Sequence, residues 1–131
     1  MASNSKKDTG HAIQVAAKLD HLLLMLILTH CDEPKLSKRR AKKTLDTFGK
    51  RRRLARDLGL INAHTDDALK LVNDVRAVFA HAEEPITFRS RYIEEVAGKD
   101  ARRRFDEAAS RAERAIGERR NRIVYERTCS P

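Results

Sequence analysis

The hydrophobic residues of this chain recur mostly at three- and four-residue steps, the period of helices with one buried face. Ile13, Ala16, Ala17, Leu19, Leu22, Leu23, Leu26 and Ile27 mark a first helix reaching about His30, with Asp8 or Thr9 as its N-cap. After Leu22 the stripe widens until nearly the whole circumference is apolar, as in a central helix or one shared with a partner subunit. Pro34 ends the helix, and residues 31–46 read as the longest irregular stretch. Thr47 then caps a short helix over residues 48–58 with Leu54, Ala55 and Leu58 inward. Gly59 stands where a left-handed residue is wanted, followed by the apolar Leu60.

Thr65 reads as the cap of the next helix, with Asp66 and Asp67 in its first turn, where negative charge complements the dipole. Its stripe is Ala68, Leu71, Val72, Val75, Val78, Phe79 and Ala82, and Pro85 stops it. Ile86, Thr87 and Phe88 are the one stretch with strand-like alternation. Ser90 caps a short helix to Ala97, closed by Gly98. A final helix runs from about Asp100 to Tyr125. It buries Ala101, Phe105, Ala108, Ala112, Ala115, Ile116 and Ile123, with Arg119 interrupting the stripe. The pattern predicts an all-α, single-domain helical bundle of about five helices over residues 9–127. A disordered N-terminus (1–8), a basic loop (31–47) and a C-terminal tail (128–131) complete the organisation.

Composition agrees, since Arg, Ala, Leu and Lys dominate while Trp is absent. Charge changes the picture more. Residues 35–56 hold eleven Lys/Arg against one acid, Asp46, a net of +10, whereas the rest of the chain has 17 basic and 18 acidic residues. Such a local patch suits nucleic acid, an anionic surface or an acidic protein. The candidate polyanion contacts are Lys38, Arg39, Arg40, Lys42, Lys43, Lys50, Arg51, Arg52 and Arg53. No aromatics are interleaved with them, so contact would run through phosphates and weaken with salt. The apolar run at residues 22–28 falls short of the roughly 20 residues a membrane span needs, and no secretory signal is evident. With Cys31 and Cys129 as the two cysteines, the expectation is a cytoplasmic protein with free thiols and no membrane partner.

Arg76 and His81 are the candidate catalytic residues. A histidine titrates near neutrality and an arginine steadies a phosphoryl oxygen, so the pair suits metal-independent RNA cleavage. Winding at 100° per residue separates them by about 140°. A working site therefore needs a helix break near His81 or a second subunit bringing its own pair across a two-fold axis. In the plain structural alternative, Arg76 pairs with a carboxylate of another helix and His81 benefits from the helix C-terminus. His30, Cys31, Asp32 and Glu33 are metal-ligand types without zinc-site spacing, and His11 and His21 read as partly buried helix residues. No P-loop, dinucleotide fingerprint or HExxH motif occurs, and the expectation is no metal and no cofactor.

Thr47-Phe48-Gly49-Lys50-Arg51, Leu54-Ala55-Arg56-Asp57-Leu58-Gly59-Leu60-Ile61, Val72-Asn73-Asp74-Val75-Arg76-Ala77-Val78-Phe79-Ala80-His81 and Ile86-Thr87-Phe88 together resemble the mannitol operon repressor family. The resemblance covers most of residues 9–90. It implies a helical bundle in bacterial transcriptional regulation, without a recognised DNA-reading module, acting through another regulatory protein; a homodimer is expected beside it, from the apolar width of the first helix. Arg76 and His81 also match the Arg-x4-His pattern of the wider HEPN domains, which include dimeric metal-independent ribonucleases. The chain departs from these patterns at Ala77, where active HEPN ribonucleases commonly carry a polar residue. It departs again at Gly49-Lys50-Arg51-Arg52-Arg53, more basic than the family's turn. The leading expectation is a regulatory binding module contacting DNA or RNA through phosphates. The alternatives are a ribonuclease and a structural module that docks an acidic protein.

Overall fold

The computed structural model of the protein describes residues 2–31 and 46–129. Five helices account for most of them: α1 (Ala2–Cys31), α2 (Phe48–Asp57), α3 (Ala63–His81), α4 (Arg91–Ala97) and α5 (Ala101–Cys129). There is no strand among the described residues, so the fold is an all-α bundle. The strand-like residues 86–88 are an unpaired connection that drops Phe88 into the core.

α1, α3 and α5 form the body. Leu19, Leu23, Leu26 and Ile27 of α1 are wholly enclosed, together with Leu69, Val72 and Val75 of α3 and Phe105 and Ile116 of α5. His11 meets Asp106, and seven residues later Lys18 meets Glu113, so α1 and α5 run parallel in one register. α3 returns antiparallel: its end lies beside residues 5–10 of α1, and Asn73 and Arg76 lie beside Ala16 and Asp20. Ala101, Ala108, Ala109 and Ala112 of α5 are buried. Their small side chains let this helix approach its neighbours closely enough to exclude water. One end of the body is aromatic: Phe88 packs against Phe79 at 4.9 Å and Phe105 at 5.3 Å between ring centroids, and His11 lies 5.7 Å from Phe105.

Several boundaries differ from expectation. α1 starts at Ala2 rather than after Asp8, so most of the segment expected to be disordered is helical, and Ser5 is buried. Asp8 lies within the helix. Its carboxylate accepts the Phe88 N–H at 3.0 Å and ties the 86–90 connection to α1. The cap of α3 is Asn62, whose side chain accepts the Thr65 N–H at 2.8 Å. Thr65 itself is helical and buried. Asn caps at least as well as Thr, so the earlier residue captures the free N–H groups. Leu58 is 39% exposed rather than inward, and Leu60 and Ile61 enter the core instead. α5 continues to Cys129, past the expected tail boundary. Ala82 is exposed, and Leu69 and Ala109 join the core.

Other local expectations match. Thr47 caps α2 by accepting the Lys50 N–H, and Ser90 caps α4. Gly59 adopts φ 72°, with Gly59 N–H donating to the Arg56 carbonyl and Leu60 N–H to the Ala55 carbonyl. This paired closure leaves Leu60 pointing into the core. α1 is long and apolar enough, over residues 4–31, to cross a membrane. In this bundle one face of it packs against α3 and α5, with Lys18 tied to Glu113 and Asp20 to Arg51.

Candidate nucleic-acid interface

α2 carries four consecutive basic residues, and helical winding sends them in different directions. Arg51 turns inward toward α1, where its Nη1 donates to Asp20 Oδ1 at 2.8 Å with only 11% of its side chain exposed. Arg52 turns toward α3 and donates to Asp66 Oδ1 at 2.7 Å, and Arg56 Nε approaches the other oxygen at 3.8 Å. Lys50 binds Asp46 one turn back at 3.0 Å. That hydrogen bond, with the ammonium charge behind it, holds the Asp46 carboxyl below its ordinary value. Arg53 is exposed and has no ion pair among the described residues. The run expected to present four phosphate contacts thus uses Arg51 and Arg52 to fasten α2 across α1 and α3. Lys38, Arg39, Arg40, Lys42 and Lys43 lie outside the described residues, as do Asp32 and Glu33.

Arg76 and His81 sit apart. α3 runs unbroken through His81, its last residue, which is exposed. Arg76 is half-buried in a cavity of about 420 Å³ between α1 and the start of α2, lined by Ile13, Asp20, Phe48 and Asn73 among others. His81 is not among its lining residues. Of the two routes to a joint site, a helix break is therefore absent and the two-fold partner remains. The expected carboxylate partner of Arg76 is also absent among the described residues: its Nε donates to Asn73 Oδ1 of its own helix at 3.3 Å.

Two further features were not anticipated. His11 is a cross-helix partner, with Nε2 2.7 Å from Asp106 Oδ1, while Arg102 Nε donates to Asp106 Oδ2 at 2.9 Å. Burial pushes the Asp106 carboxyl up, but these hydrogen bonds and charges outweigh it and leave the group below its ordinary value. The guanidinium of Arg102 also covers the Phe88 ring at 5.3 Å and lies 3.6 Å from Asp8. Beyond this cluster opens a groove of about 1070 Å³ between α5, the 88–89 turn and α4. Its arginines stand at positions 89, 102, 103, 111 and 114. Arg102 and Arg103 belong to the basic run Arg102-Arg103-Arg104, while Arg89, Arg111 and Arg114 are isolated in the sequence, and for the last two the i, i+3 spacing on α5 was the signal of a shared face.

Among the described residues, no group of three His, Cys, Asp or Glu side chains stands close enough to hold a metal ion. No family model, no curated protein and no solved structure matches this chain.

Proposed function

We propose that this protein is a regulatory binding module of the mannitol operon repressor type. In this reading it is a cytoplasmic homodimer that contacts a nucleic-acid backbone through the basic segment ending in α2 and acts with another regulatory protein. The supporting observation is the concentration of charge: a net of +10 within residues 35–56, in a chain whose remainder is nearly neutral. Arg51 and Arg52 anchor the end of that segment to the bundle, and Arg53 stays exposed to solvent. A rigid base for a concentrated charge suits phosphate contact without base reading. The test is DNA and RNA binding across a salt series. Affinity falls by about 0.9 log unit per log unit of salt for each duplex phosphate engaged. A flat salt response, or no binding below about 100 μM, overturns the reading.

A second reading is a HEPN-type ribonuclease using Arg76 and His81. It is favoured by one observation, that the Arg76 guanidinium makes no ion pair among the described residues and faces a cavity it shares with Asp20. Because His81 is exposed at the helix end, its partner arginine would come from a second copy across a two-fold axis. Cleavage of a mixed RNA pool in EDTA that disappears in a His81→Ala variant supports this reading. An intact pool with the unmodified protein removes it.

A further inference from the structure

We infer that the groove along α5 is a second nucleic-acid contact, which takes a single strand by its phosphates. This deepens the reading above and rests on it, because it names where, outside the basic segment, the polyanion lies.

Charge supplies the first argument. Within the groove, Arg102 is engaged by Asp106 and Asp8, and Arg103 by Glu107 at 3.1 Å and Asp100 at 3.7 Å. Arg89, Arg111 and Arg114 are exposed and have no ion pair among the described residues. The one carboxylate of the groove in that condition is Glu94. The lining as a whole carries five guanidiniums against four carboxylates, a net of +1, and the cations in it without an ion pair among the described residues are Arg89, Arg111 and Arg114. Guanidinium is the group best shaped for two-pronged contact with phosphate oxygens.

Spacing supplies the second argument. Phe88 packs on Phe105 and under Arg102, which fixes the neighbouring Arg89 at that level of α5. Arg111 and Arg114 lie six and nine residues beyond Phe105, about 9 and 14 Å further along the helix axis. One phosphate or a small dianion does not reach from Arg89 to Arg114. A strand that carries a phosphate on every nucleotide does. The groove's aromatic lining residue, Phe88, is 5% exposed, so no base stacks on it and recognition goes through the backbone.

The test is fluorescence anisotropy with single-stranded DNA and RNA of about 20 nucleotides, longer than one binding site of this kind needs, at several salt concentrations. The three arginines are surface groups without an ion pair among the described residues, so the triple variant Arg89→Ala/Arg111→Ala/Arg114→Ala keeps its fold, which thermal unfolding verifies. At about 0.7 log unit per phosphate for single strands, its salt slope falls by about 2 and its affinity at 0.1 M salt drops roughly 100-fold. Glu94→Gln removes the opposing charge and tightens binding; no tightening overturns the placement of the strand beside α4. An Arg53→Ala variant tests the basic segment separately. If the triple variant binds as the unmodified protein while Arg53→Ala weakens it, the groove inference fails and the first reading stands. If the triple variant weakens and Arg53→Ala does not, the groove stands and the α2 surface fails. No binding by the unmodified protein overturns both.

Discussion

Arginines on α2 and on the outer face of α5 have the same chemistry but different circumstances. On α2, four basic residues stand together, and packing turns Arg51 toward Asp20 and Arg52 toward Asp66. On α5, Arg111 and Arg114 are separated by other residue types, and neither has an ion pair among the described residues. The dense cluster thus does much of its work inside the fold, while the dispersed pair faces solvent. The reason is geometric. Consecutive helical residues point 100° apart, so a short helix lying across two others sends part of any basic run into them. Residues three apart share a face, and on α5 that face is uncovered.

The largest effect that could break this comparison is at Asp66, the acid that holds both Arg52 and Arg56 and sits in the first turn of α3. Asp66→Ala removes two charge-assisted contacts and a favourable dipole interaction, a loss of about 2 kcal/mol. For a domain of this size the melting temperature falls by about 8 °C. A variant within about 0.5 kcal/mol of the unmodified protein, the range of ordinary surface substitutions, would show that α2 is not fastened by its arginines.

A smaller effect sharpens the contrast by placing one substitution on both helices. Arg51→Ala leaves the part-buried Asp20 without its 2.8 Å donor and costs about 1 kcal/mol in urea unfolding. Arg114→Ala changes stability by less than about 0.5 kcal/mol, because it is exposed and no ion pair among the described residues is lost. Equal costs for the two variants would erase the distinction between structural and free arginines.

The same contrast explains what was legible in the sequence. Helices are declared by apolar period and by caps, both local properties. Accordingly Thr47, Gly59, Ser90 and Gly98 end or start helices where their chemistry says they should. Asp8 and Thr65 are good capping types too. They lost that role because the helices begin earlier, at Ala2 and after Asn62, and the sequence offered no way to rank competing caps. Charge partners depend on the register between helices, which no local pattern encodes. His11 and Asp106 stand 95 residues apart and meet only because α1 and α5 run parallel. For the same reason Arg76 had a predicted partner type but not the partner it has. The 140° separation from His81, a property of a single helix, was legible, and the unbroken α3 preserves it.

The smallest effect concerns a third condition of arginine, found on α5 itself. Arg102 lies one side of the groove yet is held by Asp106, which also binds His11. The Asp106 carboxyl titrates below its ordinary 3.8 in the folded chain, since the His11 and Arg102 contacts outweigh the opposing effect of burial. A depressed folded value means that the carboxylate form favours folding. That contribution is present above the unfolded value and disappears as pH falls through the folded one. Asp106→Asn removes it, so the variant is less stable than the unmodified protein at about pH 5, and the gap closes as pH falls through the depressed folded value. Because Asp106 is nearly half exposed, solvent screening keeps this gap well below that of Asp66→Ala. Urea midpoints across the pH series measure it. A gap that stays constant with pH would mean that Asp106 contributes by shape rather than charge, and that Arg102 is as free for a phosphate as Arg111 and Arg114.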